Sequence, residues 1–437
     1  MFENKDSLVQ FMIEHGAERI LFKCLAENDN SKQQIYLGGS FETLNQIPFG
    51  EVYPDNINGK VPNYKASLQF HWINDEGQIE CAPRAQLILY PKYPEVRLSG
   101  FLQNCSIAPR DHLQPVPIGE RRYNNGKDGR VLVMGMCTDG RILAHLVPSG
   151  TPLSNELTSL ADNINIFSHI VIESRIATKA AMLSKIQEIQ DRGWILGSRM
   201  NSQGEVVRYN AQNAGGYTFE ACMGIIPNGR AEPDWMGWEL KAFTSNRITL
   251  MTPEPNAGYY GENGVESFVQ RFGRARPQGD SYFTGIHKCG SENATTGMSM
   301  IIDGYDAQTS RIVNVTGGLT LLDSNGNPAA IWTFAKLIEH WGRKHAHAVY
   351  IPYQKRITNG NYEYKYINPV KFGEGTDFNK FLNAFNSGVV FYDPANKLFT
   401  NDRGNSQTKA RNQFRMRATD LSVLYYNFTN ETLSLNL

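Results

Sequence analysis

Hydrophobic and polar positions alternate over short runs in the first third of the chain. Each run is bounded by Gly, Pro, Asn or Asp, which favour turns. Such runs are typical of β-strands, and their close spacing predicts a small barrel or sandwich over residues 1–150, with one short helix at 8–15. The runs are ERILFKCLA (18–26), KQQIYLGG (32–39), KASLQFHWI (65–73), AQLILYP (85–91) and GRVLVMGMC (129–137).

The pattern changes after residue 150. Residues 154–192 carry apolar side chains at helical spacing and contain no proline, and Gly193 is a suitable C-cap. We therefore expect a helical linker over 151–195 that joins two domains. The remainder, 196–437, mixes strands and helices: strands are predicted at 248–252, 346–353 and 388–393, and helices at 329–344 and 377–388.

Composition narrows the class of protein. The chain has 437 residues, of which 41% are hydrophobic and 20% charged, so we expect two or three globular domains and no wholesale disorder. No apolar stretch is long enough for a transmembrane helix, and the N-terminus does not resemble a secretory signal. The six cysteines include no C-x-x-C pair, which favours reduced thiols in a cytoplasmic protein over a zinc site or disulfides.

The formal net charge is zero, although proteins that bind DNA usually carry a basic surplus. Residues 1–200 hold 20 basic and 22 acidic side chains, and residues 201–437 hold 23 basic and 21 acidic ones. Contact with a nucleic acid would therefore depend on local patches. The candidate patches are 271–277, 342–356 and 403–417, and each could equally be a solvated segment without a ligand.

The segment AEPDWMGWELKAF, residues 231–243, holds the pattern D-x4-E-x-K. Side chains alternate along a strand, so Glu239 and Lys241 point to one face while Leu240 points to the other. Asp234, in the adjoining strand or turn, can aim at the same point. Two carboxylates suit Mg²⁺, and a neighbouring lysine can orient water and offset anionic charge. The pattern indicates metal-dependent phosphodiester hydrolysis; the alternative is an ordinary surface strand.

The segments around this pattern strengthen the hydrolase interpretation. Upstream, GGYTFEACMGI (215–225) places Glu220 among apolar residues at the start of a helix. Downstream, RITLMTPEP (247–255) is predicted to form the next strand of the same sheet. In this order and spacing, the three segments resemble the MvaI/BcnI family of restriction endonucleases. The basic and aromatic segment GNSQTKARNQFRMRATDLSVLY (404–425) resembles the closing segment of that family.

This resemblance covers about 190–437 and implies an α/β (α+β) PD-(D/E)XK nuclease fold related to MutH. It implies that Asp234, Glu239 and Lys241 are the catalytic trio, that Asp234 and Glu239 bind Mg²⁺, and that Glu220 is the helix carboxylate preceding them. It further implies a monomeric type II enzyme that cuts double-stranded DNA at a CC(W/S)GG-like site. A cognate DNA methyltransferase would be its genetic partner.

Arginine can bind guanine through two hydrogen bonds, and lysine binds phosphate. The candidate DNA-binding residues of the closing segment are Lys409, Arg411, Arg415 and Arg417. In the family, a histidine-containing loop that reads bases precedes the Phe-Arg pair. Here Lys409 and Arg411 occupy that stretch. The sequence therefore does not determine which central base of the target site is preferred. His345 and His347 are predicted to alternate on one strand face, where they are candidate DNA contacts. The pair could also bind a metal, but a third ligand is missing, which favours strand packing.

The N-terminal strand order resembles EcoRII-like effector domains, which are all-β pseudobarrels with two DNA-recognition arms. The resemblance implies recognition arms at 23–34 and 92–97. In the second arm, Glu95 would accept a hydrogen bond from cytosine and Arg97 would donate hydrogen bonds to guanine. An ordinary β-domain with polar loops is the alternative. The candidate residues are Lys23, Lys32, Lys92, Glu95 and Arg97.

Two other functions remain open. A DNA-binding protein on a decayed nuclease fold is disfavoured because Asp234, Glu239 and Lys241 are all present. A MutH-like nicking enzyme that depends on protein partners is disfavoured by the additional N-terminal domain.

Overall fold

The computed structural model describes residues 2–55, 61–121, 127–161, 165–170, 179–226, 235, 237–277, 279–401 and 404–434. Contacts divide the chain into two compact units, Met1–Ile176 and Ala177–Leu437. Asp234, the first member of the predicted catalytic trio, lies outside the described residues.

The first unit is mainly β-structure. Its helices are α1 (Lys5–Glu14) and α2 (Pro152–Leu160), with 3-10 turns at Phe41–Asn45 and Ile118–Glu120. Its strands are β1 (Ala17–Ala26), β2 (Gln34–Gly38), β3 (Val52–Asp55), β4 (Asn63–Ser67), β5 (Gln69–Ile73), β6 (Ile79–Cys81), β7 (Gln86–Tyr90), β8 (Glu95–Ser99), β9 (Lys127–Cys137), β10 (Arg141–Val147) and β11 (Ser168–Ile170).

These strands form two sheets, with the orders β11-β1-β9-β10-β5-β6 and β2-β8-β7-β4-β3. The long central strands β1, β9 and β10 are almost wholly buried, in keeping with their runs of Val, Leu, Ile and Met. Neither sheet closes on itself among the described residues of this unit, so the expected pseudobarrel is not confirmed.

The segment 151–195 divides between the two units. Leu153 and Leu157 of α2 lie in the core of the first unit, and β11 pairs there with β1. Met182 and Ile186, which follow the boundary, lie in the core of the second unit. The apolar residues read from the sequence as a helical linker are therefore buried in two separate cores.

The second unit is a mixed α/β structure. Its helices are α3 (Lys179–Asp191), α4 (Gly215–Met223), α5 (Gly258–Phe272), α6 (Phe334–Lys344) and α7 (Phe378–Asn386), with a 3-10 turn at Leu421–Leu424. Its strands are β12 (Ile195–Leu196), β13 (Ser198–Met200), β14 (Val206–Arg208), β15 (Glu239–Phe243), β16 (Arg247–Met251), β17 (Arg274–Ala275), β18 (Ser281–Thr284), β19 (Glu292–Asn293), β20 (Met298–Asp303), β21 (Tyr305–Asp306), β22 (Arg311–Ile312), β23 (Gly318–Leu322), β24 (Pro328–Thr333), β25 (His347–Thr358), β26 (Asn361–Tyr366), β27 (Val370–Glu374), β28 (Phe391–Tyr392), β29 (Ala395–Thr400), β30 (Ser406–Lys409), β31 (Phe414–Arg417) and β32 (Asn427–Glu431).

The twelve-residue strand β25 is the centre of the largest sheet, whose order is β12-β26-β25-β27-β32. Its first half pairs with β27 on one side and, in parallel, with β15 on the other, while its second half pairs with β26. Smaller sheets have the orders β16-β31-β28, β17-β18-β29-β30 and β19-β20-β23-β24, and β13-β14 and β21-β22 are two-stranded.

Two helices of this unit follow the spacing that the sequence predicts. In α7, Phe378, Phe381, Leu382 and Phe385 are buried at positions three and four apart, and the Asp377 side chain caps the first turn. In α6 the same spacing buries Phe334, Leu337, Ile338 and Trp341. Among the described residues, no helix is both long and apolar enough to cross a membrane.

Three sequence predictions need correction. Residues 329–333 form the end of strand β24 rather than the start of a helix, because Ala330 and Trp332 are buried at alternate positions against β23. The strand after the catalytic segment, β16, pairs with β31 rather than joining the sheet of β15. Of the strand expected at 388–393, only residues 391–392 are paired, in β28.

Gly373 of β27 leaves room for an aromatic ring on one face of the large sheet. A Cβ atom there would lie 2.5–2.6 Å from ring atoms of Tyr425. These neighbours belong to a buried ring rather than to the end of a flexible side chain, so they cannot move aside at low cost.

We expect Gly373→Ala to destabilise the second unit by about 1–3 kcal/mol through overpacking. Five of the six tryptophans lie in this unit, so urea unfolding followed by tryptophan fluorescence measures the effect. Gly216→Ala in α4 is the control, because an added Cβ meets nothing within 4 Å there and helix propensity favours alanine. Equal stability of both variants would contradict the packing argument.

Candidate active site

Glu239 and Lys241 form an ion pair on one face of strand β15. The Lys241 Nζ donates a hydrogen bond of 2.8 Å to the Glu239 Oε1. The glutamate side chain is 6% exposed and the lysine side chain 18% exposed. A carboxylate and an ammonium group are therefore held together at the edge of the solvent-accessible surface, as the sequence pattern predicts.

Leu240 points away from this pair and is buried on the other face of the sheet. It belongs to a cluster that includes Phe219 of α4, Val349 of β25 and Trp238. Burial of this leucine fixes which face of β15 is interior, because a one-residue slip would exchange the two faces. The hydrophobic core thereby determines the direction in which the ion pair points.

Of the other two predicted catalytic residues, the structure describes only Glu220. Asp234 is outside the described residues. Glu220 is half-buried in α4, near Tyr366, whose pKa is raised mainly by burial, with Cys222 and Glu220 among the groups that add to the increase. Among the described residues, no three His, Cys, Asp or Glu side chains are grouped to hold a metal ion.

Two buried tyrosines, which the sequence analysis did not single out, lie beside the ion pair. Tyr350 of β25 is in register with Lys241, so both side chains are on the same face. Its hydroxyl is 2.7 Å from the hydroxyl of Tyr425, and both rings are buried. The pKa of Tyr350 is raised to about 12, mainly by burial. The charge of Lys241 lowers this pKa and the charge of Glu239 raises it, because both groups lie close to the tyrosine.

An open cavity of about 650 Å³ lies between the end of β15 and the segment that joins α3 to β12. Its walls include Trp194, Phe243, Tyr353 and Lys355, and the guanidinium of Arg356 lies 4.3 Å from the Trp194 ring centre. Phe243 is two residues beyond Lys241 on the same strand. The cavity therefore lies at the end of the strand that carries the ion pair.

The candidate DNA-binding residues of the C-terminal segment fall into two groups. Lys409 and Arg411 are exposed, as is Arg417 at the end of β31. Arg415 is half-buried, and its Nη1 donates a hydrogen bond of 2.9 Å to Asp393, which Arg247 also approaches at 3.6 Å. Arg415 is therefore engaged within the protein. Whether any of these residues contacts DNA stays a prediction.

The expected placement of two histidines on one strand face is wrong. His345 precedes β25 as the C-cap of α6, is 1% exposed and stacks on Trp341 with ring centres 4.2 Å apart. His347 is the first residue of β25, is exposed and lies 5.1 Å from the Trp238 ring. The helix end separates the two side chains, so His345 is a packing residue.

In the first unit, Lys23 is buried rather than exposed for DNA contact. It forms an ion pair with Asp29, whose carboxylate also accepts hydrogen bonds from the backbone N–H groups of Ala26 and Tyr36. Lys23 and Asp29 therefore fix the conformation of the predicted arm 23–34. The burial of Lys23 does not support the expectation that this residue binds DNA.

Arg97 lies at the junction of the two predicted arms. It donates hydrogen bonds to Glu95 at 2.7 Å and to Gln34 at 3.0 Å, and it is in register with Tyr36. Arg97, Gln34, Tyr36 and Lys32 line a cavity of about 280 Å³. Lys92 is exposed in the turn before β8, beside the ring of Tyr93.

Comparison with known families matches residues 183–425 to the MvaI/BcnI restriction endonuclease family. The match spans more than half of the chain. The chain belongs to the MvaI/BcnI restriction endonuclease family. This membership confirms the resemblance found in the sequence, and it makes the chain a member of a family of type II enzymes that hydrolyse DNA. No curated protein matches the sequence.

Solved structures with detectable similarity include two of MvaI and one of UbaLAI. The chain is 16% identical to MvaI in its complex with cognate DNA substrate, over 60% of this chain and 99% of that one, with a TM-score of 0.47. The chain is 16% identical to MvaI in the absence of DNA, over 58% of this chain and 98% of that one, with a TM-score of 0.33. It is 14% identical to the UbaLAI B3 domain with cognate DNA, over 36% of this chain and 89% of that one, with a TM-score of 0.20. With scores this low, these similarities carry no argument about the site.

We expect Tyr350→Phe and Tyr425→Phe each to destabilise the protein by about 1–3 kcal/mol, because each leaves the partner hydroxyl buried without its hydrogen bond. The double variant should lose much less than the sum, since both polar groups are then removed. Urea unfolding of the four proteins gives the coupling energy. Losses that simply add would show that the two hydroxyls do not depend on each other.

Proposed function

We propose that this chain is a type II endonuclease that uses Mg²⁺ to hydrolyse double-stranded DNA at a CC(W/S)GG-like site. Glu239 and Lys241 would be catalytic, together with Asp234 and Glu220. The observation that carries the proposal is the ion pair on β15, with the Lys241 Nζ 2.8 Å from the Glu239 Oε1. Family membership supplies the reaction class.

The Glu239 carboxylate fits a magnesium site in its chemistry. Carboxylate oxygens are hard donors of the kind Mg²⁺ prefers, and this one is held at a fixed position by β15 and Lys241. Asp234 would supply the second carboxylate. When bound, the metal would polarise the scissile phosphate and lower the pKa of a water ligand.

The contribution of Lys241 follows from its position. Its ammonium group is held beside Glu239, and the side chain as a whole is 18% exposed. A positive charge fixed there stabilises negative charge that develops on a phosphate in the transition state, and its N–H groups can orient an attacking water. The buried Tyr350 beside Lys241 limits the positions that the lysine side chain can adopt.

The first unit is proposed to bind a second DNA site and thereby activate or tether the nuclease unit. Support comes from the cavity that joins the two predicted arms, where Arg97 is oriented by Glu95 and Gln34. A guanidinium held in this way is prepared to bind guanine through two hydrogen bonds. Lys32 adds a second positive charge at the same cavity.

We expect Lys241→Gln to reduce the single-turnover cleavage rate of a plasmid in Mg²⁺ by about 10²–10³-fold, because the transition state loses a fixed positive charge. Binding to the same DNA without Mg²⁺ should be retained. The glutamine side chain keeps a donor that can reach Glu239, which limits the cost of leaving this carboxylate buried.

Lys185→Gln, on the exposed face of α3, is the matched control and should cleave at the wild-type rate. Cleavage by Lys241→Gln at that same rate would contradict the assignment. A wild-type chain that binds specifically but does not cleave would indicate a decayed nuclease. A product nicked in one strand only when a partner protein is added would indicate a repair enzyme.

We expect plasmids with two target sites to be cut faster than plasmids with one, and Arg97→Gln to remove this difference while leaving one-site cleavage unchanged. The matched control is Arg141→Gln in the same unit, because Arg141 also pairs at 2.7 Å with a carboxylate two residues earlier, Asp139. Equal rates on both plasmids with the wild-type chain would rule out activation by a second site.

A further inference from the structure

The four-stranded sheet β17-β18-β29-β30 aligns basic residues that are far apart in the sequence. Arg274 of β17 is in register with Tyr282 of β18, Tyr282 with Lys397 of β29, and Lys397 with Lys409 of β30. Residues in register on neighbouring strands share a face of the sheet. These four side chains therefore form one row across all four strands, and we call Arg274, Lys397 and Lys409 the basic row.

The basic row lies on the face of this sheet that is turned away from the protein interior. The other face carries Phe283, which is buried against Phe268 of α5. It also carries Ser406, whose hydroxyl donates to Glu266 of the same helix. Arg274 and Lys409, at the two ends of the row, are exposed.

One further cation and two aromatic rings extend this face. Arg276 lies with its guanidinium 4.2 Å from the Tyr282 ring centre, and the Lys397 Nζ lies 5.2 Å from the same ring and 4.4 Å from that of Phe399. Asp280 accepts from Lys397 at 2.7 Å, and this contact lowers the pKa of the carboxyl group. The face thus carries four basic residues, one of which, Lys397, is paired with Asp280.

The dimensions of the row suit a polyanion with regularly spaced charges. Neighbouring strands are about 4.8 Å apart, so Arg274 and Lys409 are separated by roughly 14 Å across the sheet. Each DNA strand carries one phosphate per about 3.4 Å of helix axis, so this span corresponds to about four phosphates. The rings between the cations restrict their side chains and thereby reduce the entropy lost on binding.

We propose that the basic row binds the phosphate backbone of duplex DNA and positions the nuclease unit on its substrate. This inference rests on the proposed function, because it assigns to one face of the unit the contacts that a DNA-cleaving enzyme needs. It also accounts for DNA binding by a chain without net charge, since the basic side chains are concentrated locally rather than being in excess overall.

The test is the salt dependence of DNA binding by the full chain. Fluorescence anisotropy with a duplex of random sequence, without Mg²⁺, gives the slope of log K against log[salt] between about 50 and 200 mM. The double variant Arg274→Gln with Lys409→Gln should reduce the magnitude of the slope by about 2, because each phosphate contact contributes roughly 0.9. Arg274→Lys with Lys409→Arg should keep the wild-type slope.

The matched control is Lys185→Gln with Arg199→Gln, which removes the same charges from a partly exposed and an exposed position elsewhere in the second unit. The proposal is overturned if the row variant keeps the wild-type slope, or if the control loses as much. In either case, cleavage of plasmid by the wild-type chain would leave the proposed function standing. A wild-type chain that neither binds nor cleaves duplex DNA would overturn both. Thermal unfolding checks that the variants remain folded.

Discussion

The parallel pairing of β15 with β25 is the interaction on which the candidate active site depends. It places Lys241 opposite Tyr350 and Glu239 opposite Ala348, so that the face of the ion pair is set by the strand register. On the other face, Leu240 and Val349 lie in the core. The hydrophobic burial of one face thus stabilises the orientation of the charged groups on the other.

The pairing of β25 with β27, on its other side, contributes to the low exposure of the charged pair. Ala348 and Gly373 are small residues in register on neighbouring strands, and the ring of Tyr425 occupies the space above Gly373. The surroundings of Lys241 are therefore formed by rigid aromatic groups with their hydroxyls hydrogen-bonded to each other. A site built in this way needs little reorganisation when charge develops in a reaction.

Local pattern in the sequence was sufficient for part of this structure. The alternation in ELKAF predicted the common face of Glu239 and Lys241, and helical spacing predicted α7. Partners distant in the sequence could not be inferred, because nothing near β16 indicates that it pairs with β31, about 170 residues later, and nothing near Tyr350 indicates Tyr425. The basic row has the same origin, since its members come together only through strand register.

The continuity of β25 has a mechanical consequence. Tyr350, which is in register with Lys241, and Tyr353, which lines the cavity beside Trp194, are three residues apart on this strand, or roughly 10 Å at about 3.3 Å per residue. Because the first half is hydrogen-bonded on both sides, the strand transmits a displacement along its axis instead of absorbing it as a loop would. A displacement of Tyr353 at the cavity would therefore reach the backbone opposite Lys241 through the strand itself.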